Sequence, residues 1–133
     1  TILVITGLMA CTSGHLEYVT AEGEHKTACE VEYTWAPSVD KYAVEYILSY
    51  CAQQATKQGH KVVDKALLTN DLTISPAPTI NKNTLEWTHS LAEQQFNAGK
   101  LTNKEYGYLI AYLDLGHNKP KNTRSNQLNN TNP

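Results

Sequence analysis

The chain has 133 residues, with 11 Lys and Arg set against 13 Asp and Glu for a formal net charge of −2. That length allows one small domain with a single modest core, and the balanced charge gives no pull toward nucleic acid, so no nucleic-acid partner is expected. No Gly-rich phosphate loop, nucleophile elbow or zinc-protease motif is present, so neither an enzyme nor a cofactor is expected.

In chain order, the first feature is a short apolar run, Ile2-Leu3-Val4-Ile5-Thr6-Gly7, closed by Leu8-Met9-Ala10-Cys11. It is too short to span a bilayer as a helix and suits the core of a signal peptide. By itself it also fits a buried strand, with Cys11 an ordinary thiol. Together with the cysteine, the run resembles the lipobox of bacterial lipoprotein precursors, with an apolar residue three before the cysteine and a small one just before it. The resemblance implies that residues 1–10 are the end of a signal peptide. It implies that Cys11 becomes a lipid-modified N-terminus holding the protein to a membrane. Acyl chains add about 0.8 kcal/mol per buried CH₂, so several would anchor firmly. Thr12, where an Asp would imply retention in the inner membrane, implies the outer membrane, facing the periplasm.

Next, residues 12–15 read as a tether and 15–21 as a first strand. Glu22-Gly23-Glu24-His25 is a turn signal, and residues 26–35 form the second arm of an antiparallel hairpin. Alternation puts Cys29, Val31, Tyr33 and Trp35 on one face, with Glu30 and Glu32 on the solvated one. Pro37-Ser38 opens a helix, with Ser38 as N-cap and Asp40 complementing the helix dipole. Its stripe of Val39, Tyr42, Ala43, Tyr46, Ile47, Tyr50, Cys51 and Ala55 runs to Gln58, and Gly59 stops it. Residues 60–64 and 72–74 read as short strands, and Ser75-Pro76-Ala77-Pro78 as a break. The rest is expected to be helical: one helix from Asn83 or Thr84 to Gly99, then another opened by the Thr102-Asn103-Lys104-Glu105 capping box and stopped by Gly116. The expected fold is α+β, a small antiparallel sheet with one packed helix, followed by an αα-hairpin and a disordered tail. The boundaries are residues 11–75 for the α+β unit, 76–116 for the hairpin and 117–133 for the tail.

Cys29 and Cys51 both point into the strand–helix interface, and export would place them in an oxidising compartment. A Cys29–Cys51 disulfide is therefore expected, with two buried free thiols as the alternative. His25, Cys29, Cys51 and His60 contain the donors for a zinc site, but there is no Cys-x-x-Cys clasp and no metal is expected.

Ala98-Gly99-Lys100-Leu101-Thr102-Asn103-Lys104-Glu105-Tyr106 resembles the signature of short helical-hairpin modules of the SHOCT type. The resemblance covers residues 84–115 and departs at Gly107-Tyr108-Leu109, where those modules carry a charged helix. It implies oligomerisation or protein contacts. Tyr108, Tyr112 and Leu115 lie partly off the Tyr106–Leu113 stripe and, exposed together, would form an apolar patch for a partner. Trp35, with Tyr33, Tyr42, Tyr46 and Tyr50, belongs to an aromatic strand–helix face able to line a small-ligand pocket. A hydrolase would need titratable groups converging in one cleft, which the pattern gives no reason to expect. The sequence thus suggests a lipid-anchored envelope protein that acts through contacts with another envelope protein. The alternative is a ligand- or cell-wall-binding module using the aromatic face.

Overall fold

The computed structural model describes residues 11–117 and is α+β. Residues 1–10, read as the end of a signal peptide, and the expected tail beyond His117 lie outside the described residues. Strands β1 (Thr12–Val19) and β2 (His25–Tyr33) form an antiparallel hairpin, and β3 (Lys61–Val62) joins the other edge of β1 to give the order β2-β1-β3. Helix α1 (Pro37–Lys57) lies on this sheet. After it come a 3₁₀ turn (Lys65–Thr69), a minimal hairpin of β4 (Thr79–Ile80) and β5 (Asn83–Thr84), and helices α2 (His89–Asn97) and α3 (Asn103–Asp114).

Several expectations are corrected. Residues 12–15, expected as a tether, belong to β1. Thr12, Ser13 and Gly14 already pair with Tyr33, Glu32 and Val31. Gly14 is there because α1 comes close: an added Cβ would lie 2.7 Å from Leu48 Cδ1 and 2.9 Å from Val44 Cγ1. The alternation expected along β2 holds from Cys29 to Tyr33, but the ladder to β1 is irregular there. Register shifts between Gly14 and Leu16, and Cys29 takes a φ of 51°, as at a bulge where one strand carries an extra residue. Cys29 then packs beside Leu16 and Ala52, and its sulfur is bonded to Cys51. The strand ends at Tyr33, so Trp35 is not on the core face; it is 60% exposed in the link to α1.

The N-cap of α1 lies two residues before the expected Ser38. Proline's fixed φ suits the first helical position, so Ala36 becomes the N-cap, and Ser38 lies inside the helix with no capping bond. Residues 72–74 form no strand. Asp71 Oδ1 accepts from the Thr73 amide at 3.0 Å and its hydroxyl at 2.6 Å, a local turn that replaces ladder pairing. The helix expected from residue 83 starts at His89, where the Thr88 hydroxyl accepts from the Leu91 amide at 3.1 Å. Before it, Asn81 and Lys82 both take positive φ, 51° and 67°, which closes the β4–β5 hairpin with the right twist.

The final helix opens as its sequence requires, with the reciprocal Thr102–Glu105 capping box formed. α3 packs along α1 through Gly107, where an added Cβ would lie 2.7 Å from both the Val39 carbonyl oxygen and Tyr42 Cβ. The core divides into three clusters. Leu16, Ala52, Ala55 and Val62 join sheet and helix. Ala43, Tyr46, Tyr108 and Ala111 join α1 to α3. Val39, Trp87, Ala92, Tyr106, Leu109 and Leu113 join α1, α2 and α3. Trp87 Nε1 donates to the Ser75 carbonyl at 2.8 Å, tying the segment before β4 to the loop that enters α2.

Candidate functional site

An open cleft of about 340 Å³ lies where the end of β2, the start of α1, α2 and α3 meet. Tyr33 and Trp35 line it together with Tyr106 and Ile110 of α3. Trp35 meets Tyr106 edge to face, with ring centroids 5.5 Å apart, and Phe96 stacks behind Tyr106 at 4.3 Å. The polar lining is Asp40, His89, Glu93 and Asp114, with no lysine or arginine.

Each polar group is placed by a local rule. His89 and Glu93 are one helical turn apart on α2 and so share a face. Asp114 ends α3, where the helix dipole disfavours a carboxylate. It is held by tertiary partners instead: Oδ2 accepts from the Tyr33 hydroxyl at 2.7 Å, and Oδ1 pairs with His89 Nε2 at 2.7 Å. Burial, reinforced by the Asp114 carboxylate, holds the Tyr33 phenol well above its ordinary pKa, so it stays a donor. Asp40, in the first turn of α1, is only 2% exposed, and its Oδ2 has no hydrogen-bond partner. A buried carboxylate oxygen without a donor costs stability, so this one requires explanation.

A second hollow of about 320 Å³ lies between Asp71, Thr73, Trp87 and Lys104. Its charges are already engaged: Asp71 with Thr73, and Lys104 4.0 Å from Glu45 and over the Tyr108 ring.

The residues singled out in the sequence divide among different places. Cys11 is exposed and unbonded, and hydrogen bonding to Glu32, with lesser contributions, raises its thiol pKa above the ordinary value. Cys29 and Cys51 are joined. Tyr108, expected on an exposed patch, is instead 4% exposed. It faces α1, packs edge to face on Tyr46 at 5.2 Å and donates to Glu45, because Gly107 brings α3 against α1 at this level. Tyr112 is half-buried and stacks on His117, and Leu115 is 37% exposed, so the three do not form one surface. The aromatic face is likewise divided. Tyr33 and Trp35 line the cleft, Tyr46 is in the core, and Tyr50 meets His117.

Titratable groups do converge in a cleft, against expectation, and Asp40, His89, Glu93 and Asp114 were not read from the sequence as one site. Two signals were there: the His-x-x-x-Glu spacing on one helix and an acid at a helix C-terminus. Among the described residues, no group of three His, Cys, Asp or Glu side chains is close enough to hold one metal ion. No family model, curated protein or solved structure matches the chain.

Proposed function

We propose that this is a lipid-anchored cell-envelope protein, held to the outer membrane through Cys11 and facing the periplasm, that acts by contact with another envelope protein as an assembly or accessory factor. The observation that carries the reading is the division of its three cysteines. Two are bonded to each other, which suits an oxidising compartment, and the third is exposed and free at the lipobox position. Cys11 directly precedes β1, so a lipid there would keep the sheet end close to the bilayer. None of the described helices is long and apolar enough to cross a membrane, so within residues 11–117 the lipid is the attachment this reading relies on. Labelling with a radioactive fatty acid, followed by fractionation, tests it. Label in the membrane fraction that disappears in Cys11→Ser supports the proposal; an unlabelled, soluble chain ends it.

A second reading, a small ligand-binding module, is favoured by one specific feature. The cleft lined by Tyr33, Trp35 and Tyr106 is open, whereas Tyr46 of the same face is buried in the core.

A further inference from the structure

We infer that the cleft between β2, α1, α2 and α3 binds a protonated alkylamine, with its ammonium group at Asp40 and Glu93 and its alkyl chain along Trp35 and Tyr106. This inference rests on the ligand-binding reading of the cleft and is independent of the lipid anchor.

Three observations lead to it. First, the lining carries three carboxylates, Asp40, Glu93 and Asp114, and no lysine or arginine. Asp114 has both oxygens engaged, by Tyr33 and His89. Asp40 and Glu93 have no ion-pair partner among the described residues. The cleft therefore favours a cation.

Second, Asp40 is nearly sealed from solvent, lines the cleft, and leaves Oδ2 without a donor. An unpaired buried acceptor is satisfied by an N–H group, and a charged donor serves best. This requirement selects an ammonium over a quaternary amine, which has no hydrogen to give. It also selects an organic cation over a bare metal ion, since the carboxylates are too dispersed to form one coordination shell.

Third, the remaining wall is aromatic and unusually exposed for its size. Trp35 is 60% exposed and meets Tyr106 edge to face. An indole and a phenol ring lining the same cleft as Asp40 and Glu93 give an alkylammonium apolar cover for its chain and a π face for its charge.

The same head group could be carried by a free diamine or by a lysine side chain of a partner protein. The cleft chemistry is common to both, so the experiment separates them. Isothermal titration of the full chain would use 1,5-diaminopentane, Nα-acetyl-lysine-amide, 1-pentanol and tetramethylammonium chloride. Saturable binding of either amine, with 1-pentanol and tetramethylammonium at least tenfold weaker, supports the proposal, and the tighter amine identifies the source. Asp40→Asn should weaken that binding at least tenfold. Because Asp40 is buried and its variant can misfold, Glu93→Gln and Trp35→Leu, both at exposed positions, should each weaken it several-fold while leaving the amide NMR spectrum folded. The inference is overturned if neither amine binds, if 1-pentanol or tetramethylammonium binds as tightly as the amines, or if the folded Glu93→Gln and Trp35→Leu proteins bind unchanged. Failure of lipid labelling at Cys11 would leave the amine titration unaffected, so the two proposals fail separately.

Discussion

The Tyr33 hydroxyl donates to Asp114 Oδ2 at 2.7 Å, joining the last residue of β2 to the last residue of α3. This bond, with the His89 contact on the other carboxylate oxygen, ties sheet, α2 and α3 together at the rim of the cleft. Tyr33→Phe removes the donor and leaves the ring. A hydrogen bond to a charged group at a partly exposed position contributes about 1 kcal/mol. Urea unfolding should show that loss, and the His89 ring signals should shift because its carboxylate partner is released.

Gly107 gives a sharper test of the helix contact. In an ordinary helix, Gly→Ala stabilises by up to about 1 kcal/mol. Here the new methyl would meet the Val39 carbonyl oxygen at 2.7 Å, a backbone atom that cannot turn aside. Gly107→Ala should therefore destabilise by about 2 kcal/mol, as overpacking does, with a lower thermal midpoint. A gain in stability would show that α3 is not seated on α1 as described.

The Cys29–Cys51 bridge closes a sequence separation of 22 residues. On the chain-entropy account it contributes roughly 3 kcal/mol. The Cys29→Ala, Cys51→Ala double variant should show that loss in denaturant titration. Cys11→Ser, which changes an exposed thiol, should leave the midpoint where it is.

Alkaline pH acts through two tyrosines. Burial first, and then Asp114 for Tyr33 and Glu45 for Tyr108, raise both phenols well above the ordinary 10.0. The folded state therefore holds protons that the unfolded chain releases near pH 10. Their contribution is complete below about pH 10 and is lost as pH rises above it toward the folded-state values. Urea midpoints measured from about pH 8 to about pH 11, in the Cys11→Ser background to suppress thiol exchange, should fall across that range. In the Tyr33→Phe, Tyr108→Phe double variant the fall should be shallower.

Local chemistry was legible wherever one residue sets its own backbone. Gly23, Gly59, Gly99 and Gly116 all take positive φ at the stops read for them, and the Thr102–Glu105 capping box forms as written. The hairpin, the long helix and the core-facing pair of cysteines followed from periods of two and of 3.6 residues. Errors came where a longer-range contact or a specific turn overrode the local signal. Gly14 read as a tether although it is where β1 meets Leu48, and Gly107 read as a departure from a motif although it is where α3 meets α1. Asn81-Lys82 closes a hairpin inside a stretch that read as helix.

The cleft shows the same division. Its aromatic wall was suggested by Tyr33 and Trp35, but its acids were not, since Asp40 satisfied the helix-dipole rule and seemed accounted for. Sequence by itself determined the α+β class, the β1–β2 hairpin, the long helix, the Thr102–Glu105 cap and the cysteine pairing, because those depend on residues close in the chain or on a shared apolar face. Only the tertiary structure decided that Asp40 would be buried without a donor and that Asp114 would be held by Tyr33 and His89. Those facts depend on how three helices and a strand end converge, and pairwise proximity across many residues is set by packing, not by local spacing.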